Sequence, residues 1–283
     1  MMYIYAQGEF LLADQPVIKA NHRGLRFADG FFETIRIYNG KPLFLEHHFS
    51  RILDALKAYR IERDMNFTLQ RLEREIDSLL KRNQIAEGGR VRVTFSRAGD
   101  GFYLPTSNAL EYMIEARPLD NNRFALNEEG KITELYPEMK KDINRLSAFK
   151  NIDSNLYVLG SIFAQEHKLH DVLIQNYRGG IIESTTSNLF LVSNGVLYTP
   201  GLEDGPIAGI VRMQIINLAL ENGIKIYECT INPQNLLAAD ELFLTNAIHG
   251  VQWVGSYRTK RYYNDMAHRL TTLLNDYATK LTS

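Results

Sequence analysis

Lys150 and Glu183 are the two residues of this sequence that could do chemistry together. A lysine amine condenses with an aldehyde to give a Schiff base. A carboxylate set against a pyridine nitrogen keeps that nitrogen protonated, so the ring can accept electrons from a carbanion. One lysine and one glutamate on a strand-rich scaffold can therefore hold pyridoxal phosphate. Taken singly, a lysine beside a strand is ordinarily a solvated surface residue, and Glu183 is equally an ordinary turn carboxylate. A phosphate needs backbone N–H groups, hydroxyls and usually an arginine. Gly209-Ile-Val-Arg212 follows the Gly205-Pro206 loop and opens an amphipathic run, which offers free N–H groups or simply a helix entry. Arg51 stands in Glu46-His-His-Phe-Ser-Arg-Ile, where an exposed helix arginine is the plain reading. In Arg90-Val-Arg-Val-Thr-Phe-Ser-Arg97, alternation puts Arg90 and Arg92 on one side of a strand. One of them could hold a substrate carboxylate, or both could line an exposed face.

These groups need a scaffold of hairpins and helices. Residues 2–5 and 9–12 read as a hairpin around Gln7-Gly8, and residues 31–38 and 42–45 as another turning at Asn39-Gly40. Helical spacing of apolar residues covers 46–61 (Phe49, Ile52, Leu53, Leu56, Tyr59) and 67–85 (Leu69, Leu72, Ile76, Leu79, Leu80). Strands are expected over 90–96 and 110–117. The turn-rich string Arg117-Pro-Leu-Asp-Asn-Asn122 marks a boundary, giving an N-terminal domain 1–117, a linker 118–122 and a C-terminal domain 123–283. In the second half, strands are expected over 172–177, 181–182, 189–192, 225–229 and 242–244, with helices over 155–167, 210–221 and 264–280. Hairpins mixed with helices, without regular strand–helix alternation, indicate an α+β fold. No Gly-x-Gly-x-x-Gly turn supports dinucleotide binding.

Composition narrows the class further. The 283 residues are 45% hydrophobic and 23% charged, with net charge −1 and no basic stripe, so neither nucleic acid nor a membrane surface is an expected partner. Cys229 is the lone cysteine, which leaves no internal disulfide or thiolate metal cluster and fits a reducing cytoplasm. No metal site is expected. Residues 1–10 are too polar for a signal peptide, and no apolar run nears the roughly 20 residues of a membrane helix.

Several strings, in order, resemble the class IV pyridoxal-phosphate enzymes, which include branched-chain and D-amino-acid aminotransferases and aminodeoxychorismate lyase. They are Arg23-Gly-Leu-Arg-Phe-Ala-Asp-Gly-Phe-Phe-Glu-Thr-Ile-Arg36, with Ala28 where the family has glycine; the Arg51 context; Lys150; Glu183-Ser-Thr-Thr-Ser-Asn188 followed by Leu189-Phe-Leu-Val192 and Tyr198-Thr-Pro200; Gly209-Ile-Val-Arg212; and Leu244-Thr-Asn-Ala247. The resemblance spans roughly residues 23–254 and implies a two-domain, D-amino-acid-aminotransferase-like fold of type IV. It implies Lys150 as Schiff-base lysine and general base, and Glu183 on the pyridine nitrogen. Arg51, Thr186, the Ile210 and Val211 backbone and Asn246 would hold the phosphate, Thr186 standing where the family has a small residue beside the ring. Phe32, Arg90, Arg92 and Arg97 would fall on the substrate side, and the working unit would be a homodimer.

Within the family the strings divide. D-amino-acid aminotransferases carry a tyrosine at the Phe32 position and Arg-x-His in the following loop; here the loop Ala98-Gly-Asp-Gly-Phe-Tyr-Leu-Pro105 has neither. Branched-chain enzymes often place a tyrosine where Asn155 stands and Gly-Thr-Ala where Thr245-Asn-Ala stands. Aminodeoxychorismate lyases are similar at Thr245-Asn246-Ala247 and at Ser96-Arg97-x-Gly, but their Lys-x-x-Asn reads Lys150-Asn-Ile-Asp153 here. The expected activity is amino-group transfer between an amino acid and a 2-keto acid. The alternatives are a lyase releasing pyruvate and 4-aminobenzoate from aminodeoxychorismate, and a homologue that binds the cofactor without turnover.

Overall fold

The computed structural model describes residues 2–6 and 8–282; Gln7, at the tip of the expected N-terminal hairpin, lies outside the described residues with Met1 and Ser283. The chain divides into two compact units. The first takes the chain up to Arg123, the segment Phe149–Asp153 and the tail from Ala278; the second takes Phe124–Ala148 and Ser154–Tyr277. The division thus falls after Arg123 rather than across 118–122. It also places the Lys150 segment, expected in the second unit, with the first.

In the first unit the elements are β1 (Tyr3–Ala6), β2 (Glu9–Leu12), α1 (Arg23–Phe27), β3 (Gly30–Tyr38), β4 (Lys41–Pro42), α2 (Leu45–Tyr59), α3 (Leu69–Arg82), β5 (Gly89–Arg97) and β6 (Leu110–Pro118). Among the described residues they form a six-stranded sheet in the order β2-β1-β6-β5-β3-β4. Asn39 and Gly40 turn the β3–β4 hairpin, both at positive φ (50° and 74°), as that dipeptide favours. Beyond Pro42 the expected strand gives way, because Phe44 goes left-handed and Leu45 starts α2. The face of α2 that carries Ile52, Ala55 and Leu56 meets the Ile35, Val91, Val93 and Phe95 side of the sheet in one buried cluster with Leu72, Ile76 and Leu79 of α3. Thr68 caps α3, its hydroxyl accepting the Arg71 N–H at 3.2 Å.

In the second unit are β7 (Lys131–Leu135), α4 (Asn155–Glu166), β8 (Asp171–Gln175), β9 (Ile181–Ser184), β10 (Asn188–Ser193), β11 (Val196–Thr199), α5 (Ile210–Glu221), β12 (Ile226–Glu228), α6 (Pro233–Ala238), β13 (Glu241–Asn246), β14 (Gly250–Tyr257), β15 (Lys260–Arg261) and α7 (Asp265–Thr282), whose last residues cluster with the first unit. The strand order is β12-β11-β10-β13-β14-β7-β8-β9, and β9 also pairs β10 through Glu183 and Asn188. The strands from β10 round to β9 therefore close on themselves at that residue pair. β7 escapes sequence reading because its pattern is reversed: Ile132 is 44% exposed and Thr133 fully buried. No helix of the described residues is long and apolar enough to cross a membrane.

Candidate active site

The closing pair of the second unit holds the most heavily bonded carboxylate among the candidate residues. Glu183 ends a run of apolar β9 residues and is 2% exposed. Its Oε1 accepts Lys141 Nζ at 2.7 Å and the Tyr157 hydroxyl at 2.8 Å, and its Oε2 accepts the Ile207 N–H at 2.7 Å. A carboxylate offers about four acceptor positions, so room remains on Oε2 for one further N–H. Lys141 also donates to the Ser147 carbonyl at 3.0 Å. Burial and the Glu183 charge push the Tyr157 phenol up, so it stays a neutral donor. Neither Lys141 nor Tyr157 carried a motif that would have marked it in the sequence. The only hint for Tyr157 was its place on the helix after Lys150.

The same unit gathers the expected phosphate corner. Asn188, opposite Glu183, donates Nδ2 to the Ile207 carbonyl at 2.7 Å, which fixes the loop entering α5. α5 begins at Ile210 with Gly209 as N-cap and no side chain capping it. Its first N–H groups are thus served by no capping side chain, the arrangement an anion fits. Arg212 turns elsewhere, to the Pro200 carbonyl at 2.7 Å and Glu228 at 2.5 Å. Any contribution of this string to an anion therefore comes from the backbone of Ile210 and Val211. The Thr186 hydroxyl lies 3.3 Å from Ser187 Oγ, and Asn246 Nδ2 donates to Ser187 Oγ at 2.9 Å. Asn246 Oδ1 is occupied by the Ile248 and His249 N–H groups at 3.0 and 2.8 Å. The Asn246 amide is thus held rigidly beside Ser187, a residue that sequence reading passed over.

In the first unit, Lys150 lies along the edge of β3. The Phe32 N–H donates to the Lys150 carbonyl at 2.8 Å and the Ile152 N–H to the Gly30 carbonyl at 3.2 Å. Gly30 is needed for this approach, since a Cβ there would run into the Phe95 carbonyl and the Ile152 side chain. The Tyr59 hydroxyl donates to the Asn151 side chain. Lys150 Nζ comes 5.3 Å from the centre of the Phe32 ring, and the Arg92 guanidinium lies 3.7 Å from the same centre.

The three candidate arginines of β5 separate. Arg90 is exposed at the surface, as alternation allows. Arg92 is half-buried; removal from water lowers its pKa, with Glu115 opposing. Arg97 departs from the substrate-side expectation. It lies on the core-facing side with Val91, Val93 and Phe95, and it is bonded to Asp29 (3.0 Å), Asn108 (2.7 Å) and the Tyr59 and Arg60 carbonyls (2.7 and 2.9 Å). It braces the end of α2 rather than a ligand. Arg51 is also not the exposed helix arginine of the plain reading. It is 8% exposed and grips Glu33 in bidentate fashion, Nε to Oε1 at 2.8 Å and Nη2 to Oε2 at 2.7 Å, while His48 Nδ1 meets the same Oε2 at 2.7 Å.

Residues 30–257 match the family described as amino-transferase class IV. The chain is 28% identical over 250 residues to the aminodeoxychorismate lyase of Bacillus subtilis (strain 168), covering 87% of this chain and 83% of that protein. It is also 28% identical over 250 residues to a D-alanine aminotransferase of Staphylococcus epidermidis, covering 87% and 86%. The branched-chain aminotransferase of the archaeon Thermoproteus uzoniensis superposes with a TM-score of 0.89 at 21% identity, over 99% of this chain and 95% of that one. The last likeness shows the fold: the α+β, fold type IV architecture expected from the sequence.

The Glu33 cluster has a measurable pH signature. Burial opposes ionisation of Glu33, but the Arg51 charge and the hydrogen bonds from His48 and Arg51 win, bringing its carboxyl from 4.5 down to about 2. Burial likewise drives His48 below its ordinary 6.5, against the pull of Glu33. Both groups bind protons more tightly in the unfolded chain, so both lend stability that is complete above 6.5 and lost on acidification. The His48 share declines first, below 6.5, and the Glu33 share declines between 4.5 and about 2. Chemical denaturation at a series of pH values checks this: His48→Gln should flatten the upper part of the decline, and a wild-type-like curve in that variant would refute it.

Proposed function

The chain belongs to the class IV aminotransferase family, pyridoxal-phosphate-dependent enzymes, and on that premise we propose that it transfers an amino group between an amino acid and a 2-keto acid. The observation that carries the proposal is the shared Phe32 ring, with the Lys150 amine at 5.3 Å and the Arg92 guanidinium at 3.7 Å from its centre. An amine that can take a Cα proton beside a carboxylate receptor suits an α-amino acid and its keto acid alike. Arg92 is the receptor in this reading, because Arg97 is committed to Asp29 and backbone carbonyls and Arg90 is turned to solvent.

The residues fit pyridoxal phosphate. Glu183 is buried, ion-paired and left with acceptor room, and the start of α5 has no capping side chain. When bound, the cofactor supplies an aldehyde for amines and a ring that takes up electrons released at Cα. Lys150 would anchor it and would hold and return the Cα proton as general base. Glu183 would keep the proton at the ring nitrogen; Lys141 and Tyr157 hold its Oε1 in place by hydrogen bonds. Ile210 and Val211 N–H groups, Thr186 and Asn246 receive the phosphate. The family resemblance adds Arg51, already ion-paired with Glu33, to that set. Deleting Arg51 would strand a buried carboxylate and cost about 3–5 kcal/mol of stability, so Arg51→Lys is the informative variant there.

A second reading, release of pyruvate and 4-aminobenzoate from aminodeoxychorismate, draws on Thr245-Asn246-Ala247 and on the likeness to the Bacillus subtilis lyase. Both reactions begin with proton removal by Lys150. We place the enzyme in the cytoplasm as a homodimer. Phe102, Tyr103 and Leu104 are 85%, 90% and 85% exposed, on a loop held out by Arg23 Nη1 bonding the Phe102 carbonyl at 2.7 Å. Consecutive apolar side chains displayed on a braced loop suit burial against a second copy.

Keto-acid formation from a panel of amino acids, set against pyruvate release from aminodeoxychorismate, tests the reaction. Amino-group transfer should dominate and should vanish in Lys150→Ala; pyruvate release alone would replace it with the lyase reading, and full activity in Lys150→Ala would sink both. For Arg92→Leu, KM for the amino acid should rise about tenfold or more, as loss of one charged hydrogen-bonding partner implies. An unchanged KM would remove Arg92 from the site. Light scattering on active enzyme should give twice the monomer mass, and a monomer at full activity would refute the dimer.

A further inference from the structure

One buried anion of the second unit has no part in the mechanism above. Asp171, the first residue of β8, is 4% exposed, and among the described residues no lysine, arginine or histidine is paired with it. Its charge is met by N–H and O–H groups instead. Oδ1 accepts the Val172 N–H at 2.8 Å, the Thr185 N–H at 3.1 Å and the Thr185 hydroxyl at 2.7 Å. Oδ2 accepts the Ser184 hydroxyl at 2.8 Å and, more loosely, the Thr186 hydroxyl at 3.4 Å. Ser184, Thr185 and Thr186 are consecutive and directly follow Glu183.

The register explains why an acceptor is needed here. β8 pairs β9 with Leu173 opposite Ser184. Continued in that register, β9 would run on beside Asp171. The chain turns away instead: the Ser184 N–H bonds the Ser187 carbonyl at 2.7 Å, and Asn188 returns to pair with Glu183. The turn leaves the ladder, and its donors would face a strand end without acceptors. The Asp171 carboxylate supplies them, at the cost of burying a charge that only a full set of donors can offset.

We propose that Asp171 is a positioning residue that fixes the 184–187 turn and so sets the spacing between Glu183 and Thr186, which receive the ring nitrogen and the phosphate of one cofactor. This rests on the cofactor reading of those two residues. Asparagine at 171 keeps the Oδ1 contacts and offers N–H to hydroxyls that can rotate to accept, so the turn survives. Alanine gives the turn nothing.

The test uses apo-protein titrated with pyridoxal phosphate, followed by Trp253 fluorescence and equilibrium dialysis, with borohydride trapping to count cofactor on Lys150. Asp171→Ala should raise the cofactor Kd about tenfold or more while trapping at saturation stays complete, and Asp171→Asn should recover most of the loss. A wild-type Kd in Asp171→Ala, or a loss in the alanine variant that asparagine does not recover, overturns the proposal. Should Asp171→Ala fail to fold, Thr185→Val takes its place: removal of one hydroxyl should raise Kd several-fold, and an unchanged Kd overturns it. A wild-type protein that binds no cofactor overturns this proposal together with the reading it rests on. Normal wild-type binding with an insensitive Asp171 overturns this one alone.

Discussion

The strand ring of the second unit closes at a single residue pair, Glu183 opposite Asn188, and much of the surrounding structure follows from putting a carboxylate there. A carboxylate removed from water must be solvated by the protein, because its desolvation costs several kcal/mol unless donors surround it. Glu183 draws a donor from each of three places: Lys141 from the segment after β7, Tyr157 from α4 and the Ile207 N–H from the loop before α5. That loop is tied back by Asn188, the other member of the pair. Position and charge are thereby fixed together. The loop that satisfies Oε2 is the one that delivers the start of α5, so the Glu183 carboxylate and the uncapped start of α5 are set by one short network.

The first unit solves the same problem with opposite chemistry. Glu33 is met by a bidentate arginine and a histidine, a charged solution, where Asp171 is met by hydroxyls and amides, a neutral one. The charged solution orients the Arg51 guanidinium. The neutral one ties the 184–187 turn to Asp171 through hydroxyl and amide hydrogens.

The sequence made the five longer helices and the β3–β4 hairpin legible, because their apolar residues repeat at the right period and Asn39-Gly40 names its own turn, while the short α1 and α6 went unseen. Legibility failed where tertiary context reverses the pattern. β7 buries Thr133 and exposes Ile132, so alternation points the wrong way. Residues 43–45 look extended, yet Phe44 turns left-handed and α2 takes over. At the site, motif resemblance named the residues expected to meet a cofactor but not those that hydrogen-bond to them. Lys141, Tyr157 and Asp171 lie in strings of no distinctive composition, and only the closed ring brings Lys141 and Tyr157 to Glu183, and Asp171 to the turn behind it. The three arginines of β5 show the limit of spacing alone. Alternation pairs Arg90 with Arg92 and by the same parity sets Arg97 beside Val91, Val93 and Phe95, but only the bonds it makes reveal that it braces α2.

Lys141 and Lys150 can be told apart on the same physical grounds. A lysine that attacks an aldehyde must present its amine to it. Lys141 Nζ donates to the Glu183 carboxylate and to the Ser147 carbonyl, and so serves as the counter-ion of a buried carboxylate. Turned away from them, it would leave Glu183 with one donor fewer and no compensating charge. Lys150 Nζ lies instead 5.3 Å from the centre of the Phe32 ring, whose face it shares with the Arg92 guanidinium at 3.7 Å. The proposed division, covalent attachment at Lys150 and electrostatic support from Lys141, matches what each amine touches.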